Sequence, residues 1–378
     1  MLAYLSLTLC VLFALRRLLW VALSWLPSRP VAGGGVCPRV FIAVAFRNEA
    51  PNLPKLLAAL KALDYPRGLL TILLIDDAST DTGNAIARSW IAENAHAHLL
   101  TLPVNVGKAD ALNLALRDAQ SFDVLAVFDA DVRPRPDCLK KLVDPFADAS
   151  VLAVTGYTKP VIAPRSIVSA YAALEGWTHQ LVNLAAKDRL GLNPPVTGGN
   201  CAYRINALLR SGAFPSGALS EDTAVSIALA NNGGVLRFVP DAICDHHATS
   251  TLRFFLNQRR RWSCGMAAVV GQARGIESVF VSLGYADRIV FLTVALLVIA
   301  GSIHFSWLAL IAAPVAAAVG SAIAKGRPAA RELLLLAAGF PVMAAVDIGV
   351  SLSSLVNSVA GRRPAWAVRT PEVLSGNE

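Results

Sequence analysis

Charge is scarce in this chain. Asp, Glu, Lys and Arg make up 16% of its 378 residues, against 55% hydrophobic residues. With a mean hydropathy of +0.52, that excludes an ordinary soluble globular protein and calls for membrane segments. Cysteine is sparse too. Cys10, Cys37, Cys138, Cys201, Cys244 and Cys264 are scattered and form no C-x-x-C pair. This argues against a zinc knuckle or a disulfide framework and fits a reducing compartment. Two nucleotide-binding motifs are missing. No G-x-G-x-x-G follows the first strand-like run, and Asn105-Val106-Gly107-Lys108 lacks the second glycine and the Ser or Thr of a P-loop. Net charge is +8. In so apolar a chain this points to an anionic membrane leaflet and anionic ligands before nucleic acid.

The remaining signal falls into four parts. Residues 1–37 form an apolar segment interrupted by Arg16-Arg17, then a Pro/Gly linker with Gly33, Gly34 and Gly35. The charge comes late and no clean cleavage site succeeds it, so we read a signal-anchor over a cleaved leader. The positive-inside rule then makes the region after the anchor cytoplasmic. Residues 38–250 alternate strand-like and helix-like runs, which predicts right-handed crossovers and a mostly parallel α/β sheet with flanking helices. Residues 251–285 begin with a basic, aromatic amphipathic helix carrying Phe254, Phe255 and Trp262 among Arg253, Arg259, Arg260 and Arg261, suited to a membrane surface. Residues 286–378 hold two or three apolar stretches and a tail. Counting all three as spans strands Arg362, Arg363 and Arg369 outside and places Asp347 at a costly position. The last segment is therefore bent or re-entrant, or the first does not span.

The α/β part is organised around Val124-Leu125-Ala126-Val127-Phe128-Asp129-Ala130-Asp131, an apolar run that stops at two carboxylates. It reads as a buried strand ending at a site. Asp76-Asp77 end another such run, and ligands of open α/β sheets sit beyond the carboxyl ends of the strands. Two convergent carboxylates suit a hard divalent cation, Mg2+ or Mn2+, shared with substrate phosphates. The plainer alternative for Asp129 and Asp131 is a solvated Asp-rich turn. Gly107-Lys108 at a helix start offers N–H groups and an ammonium to a phosphate, or is an ordinary helix N-terminus. Gly198-Gly199 lets backbone approach a ligand closely, or is a plain loop. Glu221 and Asp222 open a helix behind Ser220, an N-cap candidate, so dipole complementation competes with a catalytic role. His246 and His247 read as loop histidines after the last strand, with a metal or phosphate contact as the alternative.

The ordered set is more specific than its parts. Val44-Ala45-Phe46-Arg47-Asn48-Glu49, Ile75-Asp76-Asp77-Ala78-Ser79, Gly107-Lys108-Ala109-Asp110, Phe128-Asp129-Ala130-Asp131, Ser220-Glu221-Asp222 and Gln258-Arg259-Arg260-Arg261-Trp262 run in sequence. Together they resemble the membrane-bound family-2 glycosyltransferases and their D, D, D, Q-x-x-R-W signature, over roughly residues 38 to 264. The resemblance implies a GT-A fold, a nucleotide-sugar donor, a UDP-sugar first, and inversion at the anomeric carbon. It puts Asp77 on the nucleobase with Asn48 and Glu49 beside it, and Lys108 near the nucleotide. Asp129 falls on the nucleoside or metal side and Asp131 on the metal, Mg2+ or Mn2+. Asp222, next to Glu221, is the general base. Gln258, Arg261 and Trp262 close over the diphosphate, with Trp262 buried to exclude water. Gly198, Gly199 and Asn200 line the acceptor pocket. The acceptor is a lipid or lipid-linked hydroxyl at the inner membrane. A processive polysaccharide synthase is the alternative enzyme, and an inactive nucleotide-binding membrane scaffold the alternative of another class. No nucleic-acid partner is expected, and the oligomeric state is open.

Overall fold

A computed structural model describes residues 2–30, 37–218, 220–269, 272, 274, 290–291 and 293–359. The glycine linker, residues 286–289 at the start of the first C-terminal apolar stretch, and the arginines at 362, 363 and 369 lie outside the described residues.

An eight-stranded mixed sheet forms the centre, in the order β3-β2-β1-β4-β7-β6-β8-β5. Strands β1 (Val40–Phe46), β2 (Leu70–Asp76), β3 (Ala97–Thr101) and β4 (Val124–Phe128) pair with one another in parallel. Their sequences are continuous Val/Ile/Leu/Phe runs because helices cover both faces. Helices α2 (Leu53–Lys61), α3 (Gly83–Ala92) and α4 (Lys108–Asp118) make the crossovers. In α2, Leu53, Leu56, Leu57 and Leu60 are all buried, which the i, i+3, i+4, i+7 spacing dictates. The parallel expectation breaks at β7 (Asn200–Arg204), antiparallel to both β4 and β6 (Val151–Val161), and at β5 (Val132–Pro134), antiparallel to β8 (Val235–His247). Short β5 runs into prolines and has no periodicity to announce it. Strand β8 runs on through His247. His246 and His247 are therefore strand residues paired with β5 and β6, not loop residues.

Between the sheet and the apolar helices lies a continuous helical rod. It comprises α6 (Ile167–Trp177), a π-helical turn at Thr178–Leu184, and α7 (Ala185–Leu190). Gln180 ties the wide turn to β6, accepting from the Thr158 N–H at 2.8 Å and donating to its carbonyl at 2.9 Å. A buried ion pair, Asp188 with Arg237 at 2.8 Å, fastens α7 to β8. After α5 (Cys138–Val143), α8 (Ile205–Arg210) and α9 (Glu221–Asn231), the chain passes to α10 (Leu252–Val269), α11 (Ala309–Gly326) and α12 (Ala330–Val359). With α1 (Leu2–Ser24), three helices among the described residues are long and apolar enough to cross a membrane: Tyr4–Ser24, Phe305–Gly326 and Ala330–Ser353.

These helices dock on the rod. The C-terminal ends of α1 and α11 meet there, with the Lys325 ammonium donating to the carbonyls of Ser24 and Leu181. Helix α12 leaves this point along the domain. Gly339 abuts Ile167, and Met343 packs with Tyr171 and Phe255. Asp347 then reaches Arg259 of α10 at 3.5 Å, and Arg259 also pairs with Glu175 of α6. The carboxylate that looked costly inside a span is thus matched by the amphipathic helix.

Candidate active site

The parallel strands aim their carboxyl ends at one place. Two loops there are stitched before any ligand is considered. Asn48 sits in the left-handed region at φ 55°, a conformation its short amide tolerates better than a bulky side chain. It accepts from Thr80 N–H at 2.8 Å and donates its own N–H to Ser79 Oγ at 3.0 Å. Buried Glu49 accepts from Asn52 Nδ2 at 2.8 Å. Asp77 receives Val106 N–H at 2.7 Å, Gly107 N–H at 2.9 Å and Asn105 Nδ2 at 2.6 Å. The Asp77 carboxylate therefore shapes the loop that leads into α4. That loop needs Gly107, whose φ of 86° strains any side chain.

Lys108 is the first residue of α4 and the hub of the site. Its Nζ lies 2.6 Å from Asp129 Oδ1 and 3.2 Å from Glu221 Oε1, and donates to the Gly198 carbonyl at 3.0 Å. Burial works against its charged form, but Asp129 and Glu221 outweigh that and raise the pKa of the ammonium. Gly198 N–H donates to Asp222 Oδ2 at 2.8 Å, and Thr223 N–H donates to Oδ1 at 2.7 Å. Both glycines are fixed by crowding. A Cβ on Gly198 would stand 3.1 Å from Asp222 Oδ2 and from Lys108 Nζ, and one on Gly199 would stand 2.9 Å from Asp129 Oδ2. The Gly-Gly pair is thus a close-approach surface. Asp222 is pushed up to about 6, first by burial and then by its neighbour Glu221, against the pull of Lys108 and the two N–H donors. Ser220 holds the N-cap position but makes no side-chain cap bond, and Asp222 itself accepts a first-turn N–H, from Thr223.

Asp131, just past β4, lies 3.4 Å from His246 Nε2. The neighbouring His247 meets Arg133 at 2.6 Å, and burial with that guanidinium lowers its pKa.

One cavity of about 1380 Å³ takes in Lys108, Asp129, Asp131, Gly198, Gly199, Glu221, Asp222 and His246, with Gln258, Arg261 and Trp262 from α10. Two expectations need correction. Asn200 does not line it: the residue is fully buried, and its amide donates to the Ala242 carbonyl at 2.9 Å. It faces the opposite side of β7 from the site, as strand alternation requires of a residue next to Cys201. Trp262 is not buried but 45% exposed. Phe255, Arg259 and Trp262 share one face of α10, the guanidinium lying 4.8 Å and 5.0 Å from the two rings. Buried Phe255 anchors that face while Trp262 stands where the cavity is open. His179, Asn183 and Lys187 also line the wall, on the π turn and α7. A helical period gave no sign of them, since the wide turn rotates them out of phase with α6.

Could this site hold a divalent cation? Among the described residues no preformed group of three His, Cys, Asp or Glu ligands exists. Asp131 and Asp129 nevertheless supply hard oxygen donors beside a histidine, in a cavity wide enough for a diphosphate to complete the shell. That donor set fits an ion bound mainly through substrate phosphates.

Comparisons with known proteins agree with this geometry. A family model described as "Glycosyl transferase family 2" matches residues 41–210. The probable glycosyltransferase YdaM of Bacillus subtilis (strain 168) is 28% identical over 237 residues, 62% of this chain and 56% of that protein. An N-acetylglucosaminyltransferase of Sinorhizobium fredii is 28% identical over 247 residues, 62% and 59% of the two chains. The poly-beta-1,6-N-acetyl-D-glucosamine synthase of Staphylococcus aureus (strain COL) is 30% identical over 230 residues, 59% and 53%. The chain thus spans little more than half the length of these relatives. Among solved structures, the mannosyltransferase PcManGT from Pyrobaculum calidifontis, in complex with GDP-Man and Mn2+, shares the fold with a TM-score of 0.61 at 22% identity over 96% of both chains. Residues 41–210 are thus similar to glycosyl transferase family 2, and the chain shares the fold of a solved mannosyltransferase.

Proposed function

We propose that the chain transfers a sugar, with inversion, from a nucleotide-sugar donor to a hydroxyl of a lipid or lipid-linked acceptor at the cytoplasmic face of the inner membrane. The observation that carries this reading is the convergence of Lys108, Asp129, Glu221 and Asp222 in a cavity that apolar helices also line. The soluble domain supplies the chemistry, α10 lies at the interface, and α1, α11 and α12 hold it to the membrane.

A sugar leaves its donor as a nucleoside diphosphate, so the site must stabilise growing negative charge. Lys108 and the arginines of α10 provide fixed positive charge. Asp131 and Asp129, with His246 nearby, are the residues to hold Mg2+ or Mn2+. When bound, the ion supplies Lewis-acid stabilisation of the departing diphosphate. Asp77 holds the loop facing the nucleoside. Asp222 takes the proton from the acceptor hydroxyl, and a pKa near 6 leaves it ionised at neutral pH yet basic enough to accept that proton. Gly198 and Gly199 let the acceptor approach, and Trp262 and Gln258 close over it. The names of the relatives favour N-acetylglucosamine as the sugar transferred.

The synthase named among the relatives keeps a polymer product as the second reading. The test is to incubate the purified chain in detergent with Mn2+ or Mg2+, a panel of UDP- and GDP-sugars and total membrane lipid. A discrete lipid-soluble product supports the proposal, and a ladder moves it to the synthase. No diphosphate release from any donor, with nucleotide still bound, returns the scaffold.

A further inference from the structure

The cavity has a wall that the chemistry above does not use. The π turn at Thr178–Leu184 brings His179 and Asn183 to it, four residues apart and so on one face of the helix. A π turn is rare, and where one occurs it often serves a functional site. Gln180, the next residue, is buried and spent on β6. Among the described residues neither His179 nor Asn183 makes a side-chain hydrogen bond. Lys187, further along that face, has contacts of its own. His179 is exposed, but into the cavity: enough protein surrounds it that desolvation, with the Lys187 charge, lowers its pKa to about 4. The imidazole is therefore neutral at working pH. Like the Asn183 amide, it offers both a donor and an acceptor.

The sheet order places this wall. Strands β2 and β6 stand on opposite sides of β4 and β7. Asp77 and the loop it holds belong to the β2 side, and the π turn is tied to the β6 side. Asp129 after β4 and Gly198-Gly199 before β7 come between them. A donor whose nucleoside sits on the β2 side leaves the β6 side to the acceptor. We propose that His179 and Asn183 form a specificity subsite that hydrogen-bonds the uncharged hydroxyl or acetamido groups of a sugar ring, the ring whose free hydroxyl is presented to Asp222. A sugar hydroxyl donates and accepts, as a neutral imidazole and a carboxamide do. A plain lipid alcohol has only the hydroxyl that Asp222 deprotonates, and would leave both side chains unpaired in a closed site. A site built to hydrogen-bond a substrate group rejects the analogue that lacks it. The proposal rests on the glycosyltransferase reading and deepens it by assigning two residues that choose the acceptor.

The test is saccharide binding by the full chain in a detergent without a sugar head group, read by saturation-transfer NMR. Three probes are offered: N,N′-diacetylchitobiose, mannobiose and, as a lipid alcohol, farnesol. At least one disaccharide should bind wild type, and its Kd should rise at least about tenfold in H179L/N183L, as expected for two lost hydrogen bonds. The loss should be smaller in H179Q, which keeps a donor and an acceptor at that position. Farnesol binding should not respond to either change. No disaccharide binding, an unchanged Kd in H179L/N183L, or farnesol bound with the same dependence on the two side chains overturns the proposal. If H179L/N183L does not fold, N183A removes one amide without adding an apolar branch, and an unchanged Kd in that variant overturns the proposal equally. Binding of UDP and GDP with Mn2+ is measured alongside. Its loss with saccharide binding intact sinks the glycosyltransferase reading alone, and its presence without saccharide binding that depends on His179 and Asn183 sinks only this one.

Discussion

At the scale of single residues, the site works through contacts too close for substitution. Gly199→Ala places a methyl group 2.9 Å from Asp129 Oδ2. We predict a fall in kcat/KM of roughly tenfold or more, with the thermal midpoint little changed, measured by nucleotide diphosphate release. Asp222 gives a pH signature. Its carboxyl is raised to about 6, and a base must be ionised to act, so activity should be lost as pH falls through that value. Removing the neighbouring charge in Glu221→Gln relieves one of the causes of the raised pKa. The acid limb of kcat/KM should then move to lower pH, and an unmoved limb argues against Asp222 as the base. Asp129 and Asp131 were legible in the sequence because an apolar run ending in Asp announces a strand end. Asn200 was not. A polar residue beside two site glycines reads as a site residue, and only the alternation of β7 turns it into the sheet. His246 read as a loop histidine, with a metal or phosphate contact as the alternative, because its place beside Asp131 depends on β8 running on to pair with β5.

At the scale of elements, the fold was readable where period and burial agree and opaque where pairing is non-local. The strand–helix alternation of the first half follows from continuous apolar runs and leucine spacing. The antiparallel entry of β7 between β4 and β6 is a pairing between distant segments, and no local pattern encodes it. The π turn at Thr178–Leu184 looks like ordinary helix in sequence, yet Gln180 and Thr158 hold it open. The tie between α10 and α12 carries the clearest element-level prediction. Arg259→Met leaves Glu175 and Asp347 without their shared cation. Breaking a fully buried pair costs about 3–5 kcal/mol. Arg259 and Glu175 keep side-chain exposures of 13% and 19%, so we expect a smaller loss of about 2 kcal/mol, seen as a lower thermal midpoint in detergent. Adding Glu175→Gln and Asp347→Asn should recover part of it, because the carboxylate charges that Arg259 offset are then gone. A midpoint unchanged by Arg259→Met contradicts the tie.

At the scale of the whole molecule, a catalytic sheet and a set of apolar helices share one cavity, which is why low charge and strand-end carboxylates occur in the same chain. Composition declared the apolar helices, but their packing along α6 and α10 was out of reach, and so was the answer to Asp347. If a divalent ion completes the site, EDTA should abolish donor turnover and Mn2+ or Mg2+ should restore it. Turnover that persists in EDTA removes the metal from the account. We propose that Asp222 is the base of a glycosyl transfer carried out in this cavity. The most direct measurement compares wild type with Asp222→Asn in lipid-supplemented detergent with Mn2+, following nucleotide diphosphate release from UDP- and GDP-sugars and, separately, binding of the nucleotides. The expected result is release by wild type, a loss on the order of 10²–10⁴ in the variant, and nucleotide binding retained by both. Equal release by the two proteins would contradict it.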